Sequence, residues 1–304
     1  MRVDVLIIGQ GIAGSMLAHF LMKEGKNVLL VDAMNPSSAS RVAAGIFNPV
    51  SGRRITMSWR FPDFFSVAEE TYMELEKCLE RKFFHRKNIH RLLANKEEQA
   101  FWVLRNDQQE TEYTKPLPEQ NAKNGFENLH GGFETMRAGH LDIGHFLVSY
   151  RQQLLSKKIV LEESFSFDDL KIAEEKISWK NITAEEVIFC EGWKAIKNPW
   201  FNWVPFVPAK GEILTIKAPA LSSANILMRG IFILPIGNDL FKVGATYNWD
   251  ELNELPTEHA KKSLIDSLEK LIREVHSYKV PEMIGFPITW GHKPYLKWLD
   301  DSLR

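Results

Sequence analysis

The chain has 304 residues, 44% of them apolar and 25% charged, with a formal net charge of −1. That is the composition of a globular protein with a large core, and such a charge balance gives no electrostatic basis for binding nucleic acid or an anionic membrane. The two cysteines, Cys78 and Cys190, exclude a disulfide framework and a cysteine metal site; with no apolar run of bilayer length, the reading is a cytoplasmic protein with reduced thiols, no metal and no stable membrane insertion.

The chain opens on one supersecondary unit. Val3–Ile8 is a short β-branched run suited to a strand buried on both faces. Gly9-Gln10-Gly11-Ile12-Ala13-Gly14 follows at once, and apolar or small residues then recur at Ala13, Leu17, Ala18, Leu21 and Met22 with helical spacing. Gly25 stops that helix, and a second strand, Asn27–Val31, ends on Asp32. Gly9 permits the tight turn, Gly11 lets backbone approach a pyrophosphate, and Gly14 lets the helix pack on the sheet. A helix N-terminus favours phosphate, and Asp32 is placed to accept hydrogen bonds from ribose hydroxyls. Gly9, Gly11, Ile12, Ala13, Gly14 and Asp32 are therefore expected to bind a dinucleotide, flavin or nicotinamide.

The next stretch, "NPSSASRVAAGIFNPVSGRR", is rich in small residues that allow backbone to lie against a flat ring and a diphosphate. Here the chain resembles the flavin-dependent amine oxidases of the D-amino-acid oxidase and glycine oxidase superfamily. Ser40, Arg41, Ala44 and Gly45 fall on that family's Ser-rich, Arg-containing loop and Ala-Ala-Gly turn. "GGFETMRAGHLDIGHFLVSYRQQLLSKKIVLEE" is similar to its strand, helix and returning strand, with Asp142 as the helix cap. "EEVIFCEGWKAI" resembles the strand leading to a turn beside the cofactor: Gly192 and Trp193 keep that turn, while Cys190 and Glu191 replace its small residues. "VPFVPAKGEILTIK" and "IFILPIGNDLFKVGATYNWDELNELPTEHAKKSLIDSLEKLI" are similar to the family's substrate-domain entry, hairpin and helix.

Composition suggests two interleaved domains. With the resemblance, the expected fold is α/β: a Rossmann-like FAD-binding domain, a parallel sheet with helices, over residues 1–85 and 135–200. An α+β substrate domain containing an antiparallel sheet takes 86–134 and 201–287, with strands near 212–217, 231–236 and 240–246. Helices are expected at Phe64–Phe84 and at Thr257–Val275, the latter capped by Thr257 after Pro256, and "EQNAKNGFENLHGG" reads as a loop.

The resemblance implies FAD as cofactor and, as reaction, oxidation of the amine of a small amino acid or related secondary amine by hydride transfer to the flavin. The family binds the substrate carboxylate with an arginine near the C-terminus. In Gly291-His292-Lys293-Pro294, Lys293 takes that place, keeping the charge without the bidentate fork. Tyr247, after the "VGAT" strand, is expected to face the substrate. A small-molecule amine is the expected partner, with no nucleic acid. After Pro294 the family continues into a strand and a Gly-rich helix start; "YLKWLDDSLR" holds neither, so a chain truncated or altered after residue 288 is expected. Two alternatives stay open: a non-catalytic member that retains the dinucleotide fold, and an NAD(P)-dependent dehydrogenase, which gives the Ser37–Gly45 loop no role.

Overall fold

Strand β1 (Arg2–Ile8), helix α1 (Ile12–Lys23) and strand β2 (Val28–Val31) form the expected opening unit. The computed structural model describes residues 1–52, 54–106, 112–117, 130–173, 176–219 and 221–275. Strand pleating sends Val5 and Ile7 to one core, with Leu30, Ala18, Phe146 and Tyr150, and Leu6 and Ile8 to another, with Leu29, Val31 and Trp179. Each such buried aliphatic side chain contributes about 1.5–3 kcal/mol, which is why a run with no polar face makes a central strand.

That unit lies in a six-stranded sheet ordered Val160–Leu161, β2, β1, Ile182–Phe189, Lys176–Trp179, Leu170–Ala173. Its first four strands are parallel and the last two antiparallel. A helix, Ile143–Ser156, packs beside α1 and leads into Val160–Leu161. Asp142 caps it as expected, its Oδ1 accepting the His145 N–H at 3.1 Å.

A seven-stranded sheet runs in the order Ile213–Lys217, Leu240–Gly244, Ile231–Gly237, Ile226–Arg229, Ile89–Leu92, Gly132–Thr135, Thr114–Pro116. Only the pair Ile226–Arg229 with Ile89–Leu92 is parallel. Helix Glu258–Val275 lays Leu268 and Leu271 on Phe241 and Val243 of this sheet. On its other face, Ile89, Ile226 and Leu234 meet Ala44 and Ile46, so the Ser37–Gly45 loop runs directly onto the seven-stranded sheet. A small antiparallel sheet of Ile46–Phe47, Gly139–Leu141 and Phe84–Arg86 fills the junction.

Two expected boundaries differ. The helix read as Phe64–Phe84 spans Phe61–Leu79. Pro62 suits its first turn, and a left-handed Glu80 (φ 51°) ends it. Glu76 Oε1 then accepts the N–H groups of Phe83 (2.8 Å) and Phe84 (2.6 Å), bending both rings into the core. The strand read as 240–246 stops at Gly244, whose missing Cβ leaves room for the Phe232 ring, and Thr246 turns to bond Glu212 through both backbone and hydroxyl. The loop read at "EQNAKNGFENLHGG" falls mostly outside the described residues, as does Lys293. Among the described residues no helix is long and apolar enough to cross a membrane.

Candidate dinucleotide site

At the C-terminal edge of the parallel strands, Gly9 leaves β1 at φ +101°, and a Cβ there would stand 2.4 Å from the Cys190 carbonyl oxygen. The chain thus crosses itself backbone against backbone. Cys190 meets Gly9 through its carbonyl, while its Cβ lies on the Gly14 side, 3.3 Å from where a Cβ at Gly14 would stand. Gly14 has the same need, since a Cβ on it would meet the Gly9 oxygen at 2.0 Å. Helix α1 starts at Ile12 with Gly11 as its cap and no side-chain cap bond. The Ile12 N–H donates to Ser40 Oγ at 3.2 Å, and among the described residues the amides of Gly11, Ala13 and Gly14 have no acceptor. Ser40 is thereby placed over the turn.

Asp32 faces this turn and is one-fifth exposed. Its carboxylate accepts the Gln10 N–H (2.9 Å), the Met34 N–H (2.8 Å) and Arg151 Nη1 (3.0 Å). Arg151, only 3% exposed, also donates to Gln10 Oε1 (2.6 Å), the Asp32 carbonyl (3.0 Å) and Glu162 Oε1. It is the principal site residue that the sequence reading missed. The available signal was an arginine at the apolar spacing of Leu147, Tyr150 and Leu154 on the Ile143–Ser156 helix, where a charge must find buried partners.

Arg41 completes the polar set. Its Nη2 is buried with no partner among the described residues, and burial, reinforced by Arg151 and opposed by Asp32, pulls its pKa below the ordinary arginine value. A guanidinium with an unfilled donor is suited by its chemistry to an oxyanion. Gly45 (φ +68°) accepts the Leu141 N–H at 3.0 Å, and a Cβ on it would strike the Leu141 oxygen at 2.0 Å, so Ala44-Gly45 is held flat against strand Gly139–Leu141.

Gly192 (φ +60°) begins the turn Gly192–Lys197. The Trp193 Nε1 donates to Glu254 Oε1 at 3.4 Å, and Glu254 also receives Asn35 and lies 3.5 Å from Lys194 Nζ. Glu254, unnoticed in the sequence, ties the end of β2 to this turn. Tyr247 is not drawn to the glycine turn. It is 72% exposed, stacks on Trp249 (centroids 6.1 Å apart), and lines a cavity of about 440 Å³ with Glu212 and Thr257.

A parallel sheet, a glycine turn with Ser40 over it, an acid at the end of β2 and a half-buried arginine with a free donor define a dinucleotide-binding fold. Residues 4–293 match the family described as FAD dependent oxidoreductase, and the chain belongs to that family. Its cofactor is therefore FAD, in preference to a nicotinamide, and the residues just described fit it. The structure is similar to glycine oxidase from Geobacillus kaustophilus, with TM-score 0.74 and 17% identity over 90% of this chain and 80% of that one. In sequence, the tRNA 5-methylaminomethyl-2-thiouridine biosynthesis bifunctional protein MnmC of Leptospira interrogans is 24% identical over 87% of this chain and 43% of its own length. A shorter stretch, 21% of this chain, is 35% identical to a CutA homolog of Xenopus laevis across 46% of that protein. The chain thus spans less than half the length of these two curated relatives.

Proposed function

We propose that the chain oxidises the amine of a small amino acid or a related secondary amine. The observation that carries this reading is the glycine turn joined to Asp32 through Gln10 and Arg151, with the open guanidinium edge of Arg41 beside it. Bound FAD supplies a two-electron acceptor for the hydride on the substrate α-carbon. The protein's part is to bind and orient. The free amides of Gly11, Ala13 and Gly14, with Arg41, receive the diphosphate, and Asp32 accepts from the ribose. Ala44 and Gly45 offer close backbone to the ring, Ser40 steadies the turn, and Gly192 with Trp193 closes the other side. Lys293 meets the substrate carboxylate as a point charge, and Tyr247 borders the approach. An amine bound neutral needs no side-chain base, and this reading assigns none.

The same reading divides the molecule into a cofactor half, 1–85 with 135–200, and a substrate half, 86–134 with 201–287, which the six- and seven-stranded sheets support. Free Cys78 and Cys190 support a cytoplasmic location. The test is to purify the chain, record its visible spectrum, and add glycine or N-methylglycine without oxygen. A yellow sample that bleaches is expected. A colourless chain that takes up no added FAD ends the proposal, and retained adenine-nucleotide binding in that case returns the non-catalytic alternative.

The match across 87% of the chain to a tRNA-modifying protein favours one second reading, in which the amine is carried on tRNA. A yellow chain that small amines leave unbleached, but that an aminomethyl-uridine tRNA bleaches, selects it.

A further inference from the structure

Away from the glycine turn, a cavity of about 670 Å³ opens where strand Phe84–Arg86, Asp142 and the end of strand Ile231–Gly237 meet. His85, Lys87 and His140 line it. His140 is 6% exposed, its Nδ1 is buried without a hydrogen-bond partner, and its ring stacks on His85 with centroids 4.8 Å apart and planes at 19°. From the facing sheet, Lys242 lies opposite Leu234, the residue before the cavity-lining Pro235. Phe241 and Val243, its neighbours, point into the core under helix Glu258–Val275, so Lys242 points the other way, toward the junction. Among the described residues its ammonium has no ion pair and no hydrogen bond.

The charges here do not balance. Lys82 and Arg86, on the rim, are matched by Glu76 and Glu69. Lys87 donates to the carbonyls of Ser223 and Ala224, which satisfies hydrogen bonds but not charge. The one acid in the cavity wall, Asp142, already holds the His145 N–H and lies 2.6 Å from its ring nitrogen. The ammonium groups of Lys87, in the cavity wall, and Lys242, beside it, therefore share one committed carboxylate, with two neutral imidazoles between them. A desolvated cation whose nearest counter-charge, Asp142, is already bonded to His145 is costly to keep, and such groups are kept where a ligand brings further negative charge.

We propose that this cavity binds a small organic anion, its carboxylate or phosphate group held between His140 and Lys242 with Lys87 at the edge. It shares no residue with the set assigned to FAD and goes beyond the redox reading. Burial, then His85, Lys87 and Lys242 against the opposing Asp142, hold His140 down to about 4, and burial likewise lowers His85, which faces Asp142, Lys82, Glu76 and Lys87. Both rings are neutral at pH 7 when the cavity is empty. An anion between them favours their protonated forms, so binding takes up protons and tightens as pH falls from 7 toward 5.

The experiment is calorimetric titration of the FAD-loaded full chain with succinate and, separately, with inorganic phosphate, at constant ionic strength and at pH 6.0 and 7.5. Saturable binding of one anion is expected, several-fold tighter at pH 6.0, with succinate or phosphate deciding between carboxylate and phosphate. Lys242→Met is expected to weaken it at least tenfold while the yellow colour stays, and His140→Gln to remove most of its pH dependence. Should His140→Gln not fold, Lys242→Met decides alone, since its ammonium is only partly buried. Binding of neither anion, or equal binding by wild type and Lys242→Met, overturns the proposal. Retained flavin in that event leaves the redox reading standing.

Discussion

Arg151 spends all three of its guanidinium nitrogens on Gln10, Asp32 and Glu162, and in doing so holds the Asp32 carboxylate toward the glycine turn. Breaking a fully buried ion pair costs about 3–5 kcal/mol; Asp32 is one-fifth exposed, so Arg151→Met is expected to lose about 2–3 kcal/mol in denaturant unfolding. FAD affinity should fall at least tenfold in the same variant, and Arg151→Lys should recover stability more than affinity, because an ammonium cannot fork. An unchanged FAD affinity in Arg151→Met would show that Asp32 is oriented without it. His140 gives a second residue-scale expectation. Its folded pKa, held to about 4 by burial, lies below the unfolded value of 6.5, so the unfolded chain binds the extra proton between those values. Stability should therefore decline as pH falls from about 6.5 to 4, by up to about 3 kcal/mol, and His140→Gln should flatten that limb of the melting profile. Asp32 was legible because its place is set by local spacing after the glycines. Arg151 was not, because its partner is 119 positions away and nothing local records the pairing.

Elements were legible where a short periodic pattern decides them, and blurred where a single distant contact sets an end. β1 and α1 fall within a residue or two of their sequence reading, as strand burial and helical spacing require. The Phe61–Leu79 helix ends early through Glu76 bonding two later amides, a contact no periodicity encodes. The turn after β1 offers a graded test of how strictly backbone geometry is imposed. Gly9 and Gly25 both have positive φ, but a Cβ at Gly9 meets the Cys190 oxygen at 2.4 Å whereas one at Gly25 meets nothing within 4 Å. Gly25→Ala should cost only the strain of that conformation, about 1 kcal/mol, and Gly9→Ala at least about 3 kcal/mol with loss of bound FAD. Equal melting shifts for the two would mean that the crossing of Cys190 over the turn is loose. At the far end, Thr257 Oγ1 accepts the Ala260 N–H at 3.1 Å and bonds Glu212 at 2.9 Å. Thr257→Ala should cost about 1–2 kcal/mol, readable by thermal melting.

At the scale of the whole molecule, the order of motifs along the chain disclosed the family, but not how the loop after β2 is clamped to the seven-stranded sheet. The clamp is the cluster in which Ala44 and Ile46, from the loop that follows β2, pack with Ile89, Ile226 and Leu234 of the seven-stranded sheet. Sequence reading assigned Ala44 and Gly45 to the cofactor alone, because small residues there make sense for a ring; that they also fit the face of a second sheet depends on strands far along the chain. This double duty has a consequence for binding. Leu234 is fully buried and sits in that cluster, while the residues assigned to the diphosphate and ribose lie on the other sheet. Leu234→Ala should cost about 2–5 kcal/mol of stability, as large-to-small core changes do. If the clamp also positions Ala44-Gly45 against the cofactor, FAD should dissociate from the variant at lower denaturant than the loss of far-UV helix signal, whereas in wild type the two transitions coincide. Leu271→Ala, under the Glu258–Val275 helix on the opposite face of the same sheet, serves as the comparison. It should lower stability by a similar amount and keep the two transitions together, so a matching separation in both variants would assign the effect to general loosening of the sheet.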